Sequence, residues 1–341
     1  MSSIRIESRD KRIDILKAIG IICVVAGHSG SKLTPWFYTF HLPLFFIVTG
    51  YLRYGRKESW KGFIKKKTKT TILPYVVFWT ISVLYSYLYW YVMFKSSPGH
   101  LTIDDFVGLI LGGDWLYKHT NNFSIWYLQF LFIAVIVFEI IVKYFKPVLK
   151  ILLFILLIFV TAPIQQLFNG RAIFDINVLP AALLFMLLGY FLKYMQSKGK
   201  LDKVKDNIPI GILALVGGWG FSVRHYGNVG QIGSYSYILG AILIVFGLYI
   251  LSSLLVNNKA LLYIGKNTLY ILGMHSLVKE VCFNITNYIL KRADLNFLSL
   301  NMIISVSLMI ALSCGLAEIH YLGTETLKKI KKMKVKIEIV D

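Results

Sequence analysis

Asp14, Lys17 and His28 lie within the run Arg12-Ile-Asp-Ile-Leu-Lys-Ala-Ile-Gly-Ile-Ile-Cys-Val-Val-Ala-Gly-His28, which sets an acid, a base and an imidazole in an otherwise apolar segment. Ionisable groups inside a membrane span are expensive and by default functional. On a helix turning about 100° per residue, the step from Lys17 to His28 is roughly three turns and about 16 Å of rise, so both lie on nearly one face, with Asp14 within about 40° of it. The stripe carries charge at one end and a titratable nitrogen at the other, where a neutral imidazole can serve as a general base or as a nucleophile. His41 follows in Phe40-His-Leu-Pro-Leu-Phe-Phe46, near the start of the next apolar run, so the two histidines can face each other. Pro43 frees a backbone carbonyl there and can kink the helix around a cavity; the plainer role for His41 is a hydrogen bond to a neighbouring helix.

The elements that must position these groups are membrane helices. Hydrophobic residues make up 56% of the 341-residue chain and aromatic residues 15%, and the mean hydropathy is +0.64. That is too apolar for a soluble domain of this size. Runs near 20 residues, the length that crosses a hydrocarbon core of roughly 30 Å, centre on residues 13–29, 36–54, 71–94, 123–144, 147–168, 174–194, 207–226, 233–255, 266–290 and 297–322. The expected architecture is an all-α integral membrane protein with about ten transmembrane helices. A basic N-terminal segment (1–12) precedes the membrane domain (13–322), and a basic tail (323–341) follows it. No internal repeat is evident. Thr102-Ile-Asp-Asp105 forms a capping-box pattern that predicts a short amphipathic helix on the outer surface.

The net charge of +20 does not point to nucleic acid, because of where the charges fall. With ten spans, one set of loops together with both termini holds 28 Lys and Arg and the opposite set holds 7. The positive-inside rule then places both termini in the cytoplasm and His28 near the outer side of a cell membrane. Basic clusters such as Lys65-Lys66-Lys67-Thr68-Lys69 and Lys328-Lys329-Ile-Lys331-Lys332 would also attract anionic lipids, at about 1 kcal/mol per residue near the surface. Lys17 inside the first apolar run argues against a cleaved signal peptide. Cys23, Cys282 and Cys314 sit singly in apolar runs, read as small hydrophobes, and offer no metal-ligand spacing.

Taken in order, these segments resemble the membrane-bound acyltransferase-3 family, particularly its fucose-4-O-acetylase-like branch. A basic residue, ten residues and a histidine in the first helix are followed by Phe-His-x-Pro-Leu-Phe-Phe in the second. Phe63-Ile-Lys-Lys-Lys-Thr-Lys-Thr-Thr-Ile-Leu-Pro-Tyr75 is similar to the family's basic run ahead of Leu-Pro-Tyr, and Ile125-Trp126-Tyr127-Leu128 to its Leu-Trp-Phe-Leu motif. Ile264-Gly-Lys-Asn-Thr-Leu-Tyr-Ile-Leu-Gly-Met-His275 is similar to its late Gly-Lys-Asn-Ser segment. Lys17 stands where the family has arginine, keeping the charge without the planar fork. The family's Arg-x-x-Arg falls on Lys67 and Thr70, and Thr49 occupies a usual serine position.

The resemblance implies acyl transfer, with acetyl as the expected group, from cytosolic acyl-coenzyme A to a hydroxyl of an extracytoplasmic or lipid-linked glycan, without a metal. Lys65, Lys66, Lys67 and Lys69 would dock the coenzyme A phosphates. Asp14, Lys17 and His28 would form the catalytic stripe, with His28 as general base or acyl carrier, and His41, Trp126 and His275 would line the substrate tunnel. Lys279 and Glu280 are expected to neutralise each other or partners across the bundle. Trp36, Trp115, Tyr117, Trp219, Tyr226 and Tyr235 suit either sugar stacking or an interfacial aromatic belt, and Arg224 and His225 an interfacial anchor. The competing function is a glycan exporter of the same family, which would use a polar tunnel without acyl transfer. Against it stands the lack of an inverted repeat or of matched broken helices.

Overall fold

The computed structural model describes residues 10–95, 102–112, 122–168, 172–223, 229, 232, 234–292 and 298–337. Trp115, Tyr117, Arg224, His225 and Tyr226 lie outside the described residues, as does most of the N-terminal segment. Each of the ten apolar runs is occupied by a helix, and no strand occurs among the described residues. These helices are α1 (Lys11–Gly27), α2 (Thr34–Arg53), α4 (Leu73–Phe94), α6 (Trp126–Tyr144), α7 (Pro147–Gln166), α8 (Leu179–Ser197), α9 (Ile208–Val223), α10 (Tyr235–Leu251), α12 (Thr268–Arg292) and α13 (Leu298–Ile337). Three short helices join them: α3 (Trp60–Lys67), α5 (Ile103–Leu111) and α11 (Lys259–Lys266).

Among the described residues, six helical stretches are long and apolar enough to cross a membrane: Trp60–Tyr89, Phe123–Tyr144, Pro147–Gln166, Ile173–Ser197, Tyr235–Leu255 and Leu300–Thr326. The remaining four of the ten are shorter, like α1 with 17 residues and α9 with 16, or carry polar residues, like α2 with His41 and α12 with His275, Lys279 and Glu280. α1 sits in the interior, packed against α2, α10, α11, α12 and α13. α7 instead leaves Leu149, Leu152, Leu156 and Phe159 exposed, the pattern of a lipid-facing helix.

Close helix crossings hold the frame. A Cβ on Gly50 of α2 would lie 1.8 Å from the Met186 carbonyl oxygen, and one on Gly189 of α8 would lie 1.9 Å from that of Ile47. Membrane helices approach closely through such small residues because lipid supplies no hydrophobic drive. Gly265, in the Ile-Gly-Lys-Asn motif, seats α11 on α1 in the same way, its Cβ position 2.0 Å from the Asp14 carbonyl oxygen.

Local signals set the ends of several elements. The Asp10 side chain accepts from the Arg12 N–H at 3.1 Å and starts α1. The Thr102–Asp105 capping box forms as expected, with the Thr102 N–H donating to Asp105 Oδ2 at 2.7 Å. The far end of α5 is tied down where Tyr75 donates to the Leu109 carbonyl at 2.8 Å and Gln129 to that of Ile110 at 2.5 Å.

Two boundaries differ from the sequence expectation. The basic run of residues 65–69 is helical, not a loop: α3, capped by Ser59, passes through a π-turn (Thr68–Ile72) directly into α4. Thr70 and Thr71 back-bond to the Lys66 and Lys67 carbonyls at 3.0 and 2.6 Å, which satisfies the wider turn. Pro74 comes within the first helical turn of α4, where proline is tolerated. The last apolar run, expected at 297–322, is the first part of a longer helix: α13 continues through the basic residues that follow to Ile337, giving 40 residues, about 60 Å long. From Thr324 onward its Lys-rich sequence holds no glycine or proline.

Candidate active site

A cavity of about 530 Å³ opens between α1, α2, α6, α12 and the π-turn ahead of α4, within the range of small-molecule sites. Lys17, Thr70, Thr71 and Thr268 line one end, and His28, Tyr38, Phe123 and Ser124 the other. Val24, Phe45 and Leu131 make the walls between them apolar. The Lys17-to-His28 stripe therefore runs along this cavity, and both residues face it.

At the His28 end, α1 stops at Gly27 and His28 forms its C-cap, its N–H bonded to the Val24 carbonyl at 3.0 Å. Lys279 donates to the His28 carbonyl at 2.6 Å, placing a cation where the last carbonyls of a helix attract one. Lys279 and Glu280, expected to neutralise each other or partners across the bundle, take their partners on other helices: Lys279 caps α1, and Glu280 is hydrogen-bonded to Tyr89 of α4. The two side chains follow one another on α12, and successive positions of a helix do not share a face.

The His28 ring meets His275. His28 Nδ1 lies 2.9 Å from His275 Nε2, and the two rings meet edge to edge, nearly coplanar, with centroids 5.2 Å apart and planes within 15°. Phe123 meets the His28 ring edge-on at 4.6 Å. Ser124 Oγ lies 3.2 Å from His275 Nε2, 3.5 Å from His28 Nδ1 and 2.9 Å from Ser276 Oγ. His275 Nδ1 is 2.8 Å from the Ile271 carbonyl oxygen one turn back.

His41 lines the same cavity, and its Nδ1 donates to the Phe37 carbonyl at 2.7 Å. Tyr38 stands between the two, with ring centroids 5.1 Å from His41 and 6.2 Å from His28. The two histidines expected to face each other thus share a cavity, but the ring in contact with His28 is that of His275. Trp126 also lines the cavity. His275, expected in the tunnel lining, is instead buried beside the cavity, in contact with the His28 ring that does line it.

At the opposite end, Lys17 Nζ pairs with Asp14 Oδ1 at 3.0 Å. Asp14 is buried and lies behind the ammonium, outside the cavity lining, while Lys17 faces in. Lys65, Lys66 and Lys69 are exposed and Lys67 is half-buried. They occupy the turns just before Thr70 and Thr71, which reach the cavity. Lys66 pairs with Glu58 at 3.6 Å, and Lys67 Nζ lies 5.9 Å from the Phe63 ring centroid.

A buried charge cluster anchors this basic helix. Arg53, at the end of α2, forks onto Glu139 of α6 through Nε and Nη2, the latter at 2.5 Å from Oε1. Lys143 contacts Glu139 Oε1 at 3.2 Å, donates to the Glu58 carbonyl at 3.0 Å, and lies 4.5 Å from the Trp60 ring centroid. Residues of α6 and of the start of α3 are thereby tied together beside the lysine run.

Sequence reasoning missed Ser124, Ser276 and the Arg53–Glu139 fork. The first two are small hydroxyl residues flanking Ile125-Trp126-Tyr127 and His275, and adjacency to those motifs was their signal. Glu139 is the lone acid of its apolar run and Arg53 closes another, a pair of opposite charges for which an apolar bundle has no other use.

Comparison with known proteins adds the chemistry. The family model described as Acyltransferase domain matches residues 10–318, from the cap of α1 into α13, and so includes both ends of the cavity. The chain matches no curated protein and no solved structure. With apolar helices of membrane-crossing length around a cavity lined by His28 and His41, the match defines a multi-pass membrane acyltransferase acting on groups other than aminoacyl. The chain belongs to the acyltransferase-3 family.

Proposed function

We propose that the protein moves an acyl group, in the first instance acetyl, from cytosolic acyl-coenzyme A to a hydroxyl of an extracytoplasmic or lipid-linked glycan, as in the fucose-4-O-acetylase-like branch it resembles. The observation that carries this reading is the single cavity with Lys17 at one end and His28 at the other, about 16 Å apart along one helix. That geometry suits a donor held by its charged end on one side and reacted at its far end on the other. In this reading the protein crosses the membrane ten times with both termini in the cytoplasm, in keeping with 28 basic residues in one set of loops and termini and 7 in the other.

Lys65, Lys66, Lys67 and Lys69 attract the phosphates, and Lys17, its charge balanced by Asp14, meets the polar part of the donor that enters the cavity. The pantetheine arm follows the apolar walls. At the far end His28 removes the proton of the glycan hydroxyl as its oxygen attacks the thioester carbonyl. The C–O bond forms, the C–S bond breaks, and the proton held on His28 passes to the departing thiolate. Attack by His28 itself, giving an acyl-imidazole, would use the same nitrogen in two steps.

The test is to incubate the purified protein with acetyl-coenzyme A and follow free thiol with and without membrane-derived glycan. Glycan-dependent thiol release matched by acetylated product is expected. Product formation with no dependence on acetyl-coenzyme A would refute the donor assignment, and thiol release that ignores glycan would refute the acceptor.

A further inference from the structure

We infer that His275 is a positioning residue that sets the tautomer of His28, so that the proton sits on Nδ1 and the lone pair on Nε2. The inference rests on His28 being the base of the proposed reaction. It begins at Ile271: a carbonyl oxygen only accepts, so the 2.8 Å contact from His275 Nδ1 requires an N–H at that nitrogen. A neutral His275 then presents a lone pair at Nε2. The atom closest to that lone pair among its recorded partners is His28 Nδ1 at 2.9 Å, against 3.2 Å for Ser124 Oγ and 3.4 Å for Ser276 Oγ. Two lone pairs cannot share a 2.9 Å contact, so His28 Nδ1 is the donor. Ser124 has Ser276 Oγ at 2.9 Å as its nearer partner.

The chain of donors therefore runs from His28 Nδ1 to His275 Nε2 and from His275 Nδ1 to the Ile271 carbonyl. Two consequences follow. Nε2 of His28 is the basic nitrogen in the resting ring. When it takes a proton, the resulting imidazolium still donates through Nδ1 to a neutral acceptor, which stabilises the charge in an apolar setting, and His275 plays the part that a carboxylate or carbonyl plays behind other catalytic histidines. The near-coplanar, edge-to-edge rings put the His28 N–H in line with the His275 lone pair, and the edge-on contact with Phe123 limits rotation of His28 out of this register.

Two substitutions separate this role from a purely structural one. His275→Asn keeps an amide N–H near the Nδ1 position for the Ile271 carbonyl but ends short of His28. His275→Gln places an amide oxygen near the Nε2 position and gives up the Ile271 bond. If His275 positions His28, kcat in Asn falls by about 100-fold or more, while Gln stays within about 10-fold of wild type, with KM for acetyl-coenzyme A unchanged in both. A structural role predicts the reverse order, since Asn is the variant that preserves the bond within α12. The activity-independent readout is the ¹⁵N spectrum of histidine-labelled protein in detergent, with the His28 signals identified by their loss in His28→Gln. The Nδ1–H tautomer is expected in the wild type and in His275→Gln, and a shift toward Nε2–H or averaging in His275→Asn. An unchanged His28 tautomer in His275→Asn, or Asn outperforming Gln, would overturn the inference. Absence of acetyl transfer in the wild type would instead refute the proposed function and leave the tautomer measurement to decide this point alone.

Discussion

Replacing Lys17 with Met removes the ammonium from a carboxylate that is itself buried. Asp14 is 5% exposed in its side chain and Lys17 is 21% exposed, with the charged atoms 3.0 Å apart. Breaking a buried pair from one side typically costs about 3–5 kcal/mol, because the remaining charge has lost its compensation. The partial exposure of Lys17 puts this case at the lower end, about 3 kcal/mol. The double replacement Lys17→Met with Asp14→Leu leaves no charge behind and is expected to be neutral or to stabilise the fold by about 1–4 kcal/mol. The cycle should therefore show a coupling of about 3 kcal/mol, measured as thermal unfolding of the detergent-purified variants. Donor binding separates structure from function. If Lys17 meets the acyl donor, the refolded double variant lacks one charge-assisted contact worth about 1.5–3 kcal/mol, so acetyl-coenzyme A binds about 10- to 150-fold more weakly by calorimetric titration. A stable double variant with wild-type affinity would show that Lys17 serves only Asp14. A double variant as unstable as the single one would show that the loss on removing Lys17 does not come from an uncompensated Asp14 carboxylate.

His28→Ala should lower transfer by about 10² to 10⁴ while acetyl-coenzyme A still binds, because general-base catalysis contributes in that range and the phosphate contacts are remote; a near wild-type rate would shift the base role to His41. Replacing Lys65, Lys66, Lys67 and Lys69 together with Gln should weaken donor affinity and flatten its dependence on salt, without changing the unfolding temperature, since three of the four are exposed. Unchanged affinity in the purified variant would remove the docking role. A cysteine placed after residue 337 should resist an impermeant thiol reagent in intact cells and react after permeabilisation. Labelling in intact cells would invert the assigned topology and the side on which His28 lies.

The positions of the helices were legible because membrane-crossing length and apolarity are properties of a single segment. So was the face shared by Lys17 and His28, which follows from helical geometry alone. The partner of His28 was not legible in the same way. His275 lies 247 residues away, and only the packing of α12 against α1 decides that its ring, and not that of His41, meets His28. Ser124 escaped for a related reason, since it sits in a short 3₁₀ turn (Phe123–Ile125) ahead of α6, where no periodicity marks which way a side chain faces. The lysine run was found as a charge cluster between two spans but not as a helix, because nothing in its composition marks Thr70 and Thr71 as closing a π-turn by bonding back to carbonyls.

The helices that fall short of the simple membrane rule are informative for the same physical reason. α1, α2 and α12 are too short or too polar to qualify as ordinary spans, and they are the helices that bring Lys17, His28, His41 and His275 to one place. A bundle in lipid tolerates such segments only where neighbours surround them. α1 meets that condition, with Asp14 buried against Lys17, its C-terminal carbonyl capped by Lys279, and α11 seated directly on it at Gly265. The polar residues therefore require the more apolar helices around them, and α7, which exposes its leucines outward, belongs to that outer layer. Depth inside the bundle is what lets a short helix carry Asp14 and Lys17 within it and His28 at its C-cap, and the packing of α12 at that depth is what brings a buried His275 to the His28 ring, where a single hydrogen bond can decide on which nitrogen the proton sits.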